Sequence, residues 1–184
     1  SKETLNEFTK NLSLNDFKNI NFFNNLISNV ICENISFYES KNDWESSQIH
    51  SNFAFSSESK VKSTTVDNLL KDYLLESYVV FIKLDIEGNE INALKGALEV
   101  IKKAHPVIII EFSKYSFKDM DNIDYLKNFL IRYDYSIFDT NSNKVTLENI
   151  INMLSKLRKR YKTIGNYYLI KNNSNNLKIF LNND

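Results

Sequence analysis

The sequence predicts an α/β protein with a mainly parallel sheet that takes an antiparallel strand late in the chain. Val79 to Leu84 and Val107 to Ile110 are nearly unbroken apolar runs, the pattern of strands buried on both faces. Between them Ile91, Leu94, Leu98 and Ile101 recur at three- and four-residue spacing, as on a helix with one apolar side. Strand, helix and strand within about 33 residues make a right-handed βαβ unit.

Each element has its own signal. Leu5, Phe8 and Leu12 lie at helical spacing within Lys2 to Leu14, capped by Ser1 or Thr4, and Asn15-Asp16 ends that helix. Ile20 to Ile27 and Ile31 to Tyr38 read as strands. Glu39 to Lys60 is rich in Ser, Asn and charge and reads as a long connection, with room for short strands around Ile49 to Phe55. Thr64-Thr65-Val66-Asp67 leads into a short helix through Leu69, Leu70 and Leu74 with a Thr or Asp cap. The helix that starts at Glu90 stops at His105-Pro106, because proline excludes helical geometry from the residue before it. Ile123, Leu126, Phe129 and Leu130 mark the next helix, Tyr135 to Phe138 a strand, Leu147 to Leu157 another helix, and Tyr167 to Ile170 a last strand preceded by a Gly165-Asn166 turn. Residues 1–172 form one domain, and 173–184 a tail with a short apolar stretch, Leu177 to Leu181.

Composition narrows the classes of function. A chain of 184 residues, 42% hydrophobic and 13% aromatic, is long and apolar enough to bury a core. Lys plus Arg equals Asp plus Glu at 23 each, so no field of one sign recruits nucleic acid or an acidic membrane. The single cysteine, Cys32, has no partner for an internal disulfide or a zinc site, which fits a cytoplasmic setting. No apolar run approaches the roughly 20 residues that cross a bilayer.

Chemistry points to the strand ends. In open α/β sheets ligands bind beyond the carboxyl ends of the strands, and Asp85, Glu87 and Glu111 stand there on neighbouring strands. Carboxylates gathered in one cleft serve as a general base, as acceptors for a cofactor's amine and hydroxyls, or as metal ligands. Each could equally be a solvated or helix-capping acid, and Glu90, in the first helical turn, suits the helix dipole. Gly88 permits positive φ and close approach of a ligand to the backbone. Lys83, two residues before Asp85 and on the same face, calls for a carboxylate partner if buried. His50, in the long connection, is a further base by residue type alone, and His105 a helix cap.

Three linked motifs add a resemblance. Lys83-Leu84-Asp85-Ile86-Glu87-Gly88-Asn89-Glu90, then Leu94-Lys95-Gly96-Ala97, then Pro106-Val107-Ile108-Ile109-Ile110-Glu111 resemble, in order and spacing, the FkbM family of methyltransferases. Thr65-Val66-Asp67-Asn68-Leu69 and Leu12-Ser13-Leu14-Asn15 extend the likeness over most of the chain. The resemblance implies a Rossmann-like methyltransferase sheet and transfer of a methyl group from S-adenosylmethionine to a hydroxyl of a sugar or secondary metabolite. It implies Asp85 nearest the transferred methyl, Glu87 and Glu111 for acceptor binding, proton removal or a divalent ion, and Ser28 and Asn29 near the adenine.

Two pieces of the family pattern are missing. The glycine-rich cofactor loop and the following acidic strand end have no counterpart among Gly88, Gly96 and Gly165. The chain is therefore expected to be a fragment lacking the first two strands, with the Val79 strand left as an open edge that an upstream segment or a partner chain completes. It is expected to bind S-adenosylmethionine weakly or not at all by itself; tight binding in a calorimetric titration overturns this. Two other classes stand beside methyl transfer: a metal-dependent sugar or nucleotide transferase using Asp85 and Glu87, and a non-catalytic remnant that binds partners. Acceptor choice would lie in Glu39 to Lys60 and Ser142 to Thr163, where no motif speaks.

Overall fold

The computed structural model describes residues 2–15, 17–39, 57–72, 79–117, 119–157 and 163–181. The expected cap at Ser1, Asp16, the strands around Ile49 to Phe55, His50 and Leu74 lie outside these residues.

The described elements run α1 (Lys2–Ser13), β1 (Leu26–Ile27), β2 (Cys32–Glu39), β3 (Ser57–Thr64), α2 (Val66–Leu70), β4 (Phe81–Leu84), α3 (Glu90–Lys95), α4 (Leu98–Ala104), β5 (Val107–Ser113), α5 (Met120–Tyr133), β6 (Tyr135–Phe138), β7 (Lys144–Val145), α6 (Leu147–Lys156), β8 (Thr163–Lys171) and α7 (Asn175–Leu181). Two sheets result, a three-stranded one ordered β1-β3-β2 and a five-stranded one ordered β4-β5-β8-β6-β7.

The larger sheet explains how far the parallel reading holds. β4 and β5 pair parallel, while β8 runs antiparallel to both β5 and β6. β4, β5 and β6 therefore share one direction, and the late strand inserts between two of them, so that antiparallel pairings outnumber the parallel one in this sheet. The short hairpin partner β7 adds a further antiparallel pair. In the smaller sheet β1 is parallel and β2 antiparallel to β3.

Among the described residues β4 is an edge strand, and the exposure of its residues corrects the expectation of burial on both faces. Val80 is 70% exposed and Phe81 49%, and only Leu84 in the strand is buried. Layers packed above and below a sheet cover its faces, and a strand at the edge, with β5 alone beside it among the described residues, receives less of that cover. The expected strand at Ile20 to Ile27 shrinks to Leu26–Ile27, with Ile20, Phe22 and Phe23 exposed.

The core lies against one face of the five-stranded sheet. Ile108 and Ile110 of β5 face the same way as their partners Leu169 and Tyr167 of β8, and all four are buried with Leu84 and Ile137. Ile91, Leu94 and Ile101 from α3 and α4, Leu126 and Phe129 from α5, and Ile150 and Leu154 from α6 complete this cluster. On the opposite face α7 packs Phe180 against Phe138 and Tyr168. Its start is capped by the Ser174 hydroxyl, which accepts from the Leu177 amide.

The helix predicted as continuous from Glu90 breaks at Gly96-Ala97. A methyl group on Gly96 would overlap the Ser28 carbonyl oxygen, so the helix can lie against β1 only where a side chain is missing. Asp67 then starts α4 afresh: its carboxylate accepts from the amides of Glu99 and Val100 at 3.0 and 2.9 Å, and its own amide donates to the Gly96 carbonyl. Thr65, the neighbouring signal, caps α2 by accepting from Asn68. His105 closes α4 in the left-handed region at φ 48°, as a cap should.

β8 is longer than Tyr167 to Ile170, and Gly165-Asn166 lie within it rather than in a turn before it. Gly165 has φ 96° where the β5–β8 register shifts between Glu111 and Ser113, as at a bulge that a glycine accommodates.

Candidate functional site

The site is the loop between β4 and α3 together with the end of β5. Leaving β4, the backbone passes through two consecutive positive φ values, 54° at Glu87 and 103° at Gly88. Gly88 takes this at little cost, and it is also where the chain comes closest to the next segment: a Cβ there would sit 2.6 Å from the Tyr115 Cβ. Glu87 has a side chain and carries a strain of about 1 to 2 kcal/mol in that region.

This geometry brings the three predicted acids together. Asp85, Glu87 and Glu111 each present a carboxylate oxygen within 4.8 Å of the others, on the surface at the carboxyl ends of β4 and β5. Lys83 stands two residues earlier on the same side, and its Nζ pairs with Asp85 Oδ2 at 2.6 Å. The lysine is exposed, because β4 is an edge strand, so no buried-charge argument applies to it and the pair adds little stability. Burial pushes the Glu111 carboxyl above the ordinary range; a hydrogen bond with Thr163 opposes this, and the charges of Asp85 and Glu90 add to it. Tyr115, turned toward the same loop, is likewise pushed up by burial and by the Glu87 charge.

Glu90 departs most from its sequence reading. It is fully buried, and its carboxylate turns back to accept from the amides of Ile86 at 3.1 Å and Gly88 at 3.0 Å, and from the Ser116 hydroxyl at 3.0 Å. Ser116 belongs to a serine pair at the end of β5: its hydroxyl accepts from the amide of Ser113, the strand's last residue, and the Ser113 hydroxyl accepts from the amides of Tyr115 and Ser116. Sequence reasoning missed Ser113, Tyr115 and Ser116, although small polar residues directly after an apolar strand were the available signal.

Ser28 and Asn29 follow β1. Ser28 is buried, its amide donates to the Thr64 carbonyl at 2.9 Å and its hydroxyl donates to Asn29 Oδ1 at 3.2 Å. Asn89, another residue the sequence did not single out, ties this end of the small sheet to the acidic loop, its Nδ2 donating to the Ile27 carbonyl at 2.6 Å. The segments after β1, β4 and β5 thus converge on one side of the molecule. Three hard carboxylate oxygens suit a magnesium, manganese or calcium ion.

A family model for the methyltransferase FkbM domain matches residues 2–137, a span that holds every residue of this site except Thr163. The chain belongs to the FkbM methyltransferase family. Among curated proteins and among solved structures none matches it. Membership in the FkbM family gives methyl transfer as the general class of activity. Among the described residues no helix is long and apolar enough to cross a membrane.

Proposed function

We propose that this FkbM-family chain takes part in transfer of a methyl group from S-adenosylmethionine to a hydroxyl of a sugar or secondary metabolite. The convergence of Asp85, Glu87 and Glu111 within 4.8 Å is the observation that carries the reading. The sulfonium donor is already activated, so alignment and removal of the acceptor's proton are the protein's share of the work. Asp85 is the residue assigned nearest the methyl group, with Glu87 and Glu111 holding the acceptor hydroxyl. Glu111, whose carboxyl is held above the ordinary range, is the more suitable proton acceptor of the two. Ser28 and Asn29 are assigned to the adenine end, supported by the Asn89 bond that draws the end of β1 toward the acidic loop.

A divalent cation is a second occupant that the same oxygens favour. Asp85, Glu87 and Glu111 would hold it, and it would offset their mutual repulsion and orient a hydroxyl. The open side of β4 is assigned to a further strand from flanking sequence or a partner chain, supported by the exposure of Val80 and Phe81. A cytoplasmic setting suits the free thiol of Cys32.

The test is resonance mapping with S-adenosylhomocysteine, which reads weak binding. Millimolar ligand should shift the amides of Ser28, Asn29, Asp85 and Glu87, and Asp85→Asn should weaken the effect at least tenfold. Shifts with manganese but none with the nucleoside would favour the metal-dependent transferase instead, and a chain silent to both would leave a partner-binding role as all that this chain does by itself.

A further inference from the structure

Glu90 reaches two segments that carry the acids from opposite sides. Asp85 and Glu87 belong to the loop whose Ile86 and Gly88 amides it accepts, and Glu111 stands two residues before the serine pair that ends in its Ser116 contact. These bonds do what helix propensity does not: they hold a backbone with two successive positive φ values beside a second segment packed on Gly88 through Tyr115. Like charges gathered within 4.8 Å push apart, and a loop left to itself relaxes in the direction that separates them. A fully buried carboxylate with several donors opposes that relaxation, since charge-assisted hydrogen bonds out of water are the strong ones. Asn122 steadies the far side, its Nδ2 donating to the Ser116 carbonyl at 3.2 Å.

We infer that Glu90, through Ser116, is a positioning residue that locks the Asp85–Glu87 loop to the end of β5 and so sets the spacing of the three acids. It touches no ligand. The inference rests on the reading of these acids as the reacting site, but its first readout does not. Ser116→Thr and Ser116→Val add the same volume and differ only in the hydroxyl. Amide hydrogen exchange at Ile86 and Gly88 should stay slow with threonine and quicken about tenfold with valine, with exchange at Ile108 and Leu169 unchanged in both. Glu90→Gln, which replaces one accepting oxygen with a donor, should quicken the same two amides. If either added methyl unfolds the turn, Ser116→Ala supplies the comparison with the wild type. S-adenosylhomocysteine should then bind the valine or alanine variant about tenfold more weakly than the threonine variant or the wild type. Equal exchange at Ile86 and Gly88 with and without the hydroxyl overturns the lock, as does altered exchange with unaltered nucleoside affinity. Altered exchange in a protein whose wild type ignores the nucleoside overturns the methyl-transfer reading instead and leaves the lock standing.

Discussion

Glu111 shows how one side chain's surroundings set its chemistry. Burial raises its carboxyl above the ordinary value, so the folded protein holds that proton more tightly than the unfolded chain does. The sign follows: Glu111's effect on stability is most favourable below the ordinary glutamate value of about 4.3 and is lost as pH rises through the higher folded value. Glu111→Gln should flatten this part of the profile, so that chemical denaturation of wild type and variant converges at low pH and diverges, with the wild type the weaker, as Glu111 ionises. A difference independent of pH would contradict the assignment. That Glu111 would meet Asp85 was legible, because both end neighbouring apolar runs. That Glu90 would turn inward was not: a glutamate in a first helical turn has the same sequence signature whether it faces water or folds back onto the preceding loop.

Among elements, α4 depends on a residue far from it in sequence. Asp67 supplies acceptors to two of its first amides, so Asp67→Ala should cost about 1 to 2 kcal/mol in urea denaturation while Thr65→Ala, which uncaps only the short α2, costs less. Equal losses would place the dependence elsewhere. The heptad-like run from Ile91 to Ile101 concealed the break at Gly96, because periodicity reports which side is apolar and is blind to a backbone carbonyl pressed against one position. β3 went unread for a related reason. Its sequence Ser57-Glu58-Ser59-Lys60-Val61-Lys62-Ser63-Thr64 offers one large apolar residue, and its place is fixed by pairing with β2 and β1 rather than by burial. β5 and β6 were legible because their apolar residues are buried, Ile108 and Ile110 in one and Ile137 and Phe138 in the other.

At the scale of the whole molecule the five-stranded sheet ends at β4 with Val80 and Phe81 in the open. Sedimentation should show association that grows with protein concentration, and Val80→Lys, which puts a charge where another strand would approach, should reduce it. A wild type that stays monomeric at high concentration would mean that this side needs no cover. The left-handed backbone at Glu87 has a different consequence. Asparagine tolerates that conformation far better than glutamate, so Glu87→Asn should raise the melting temperature by about 1 to 3 °C, whereas Glu87→Gln should not. A heat-selected library of this protein would then discard the very carboxylate proposed to hold the acceptor, and on that proposal the sturdiest clones would be the least competent ones.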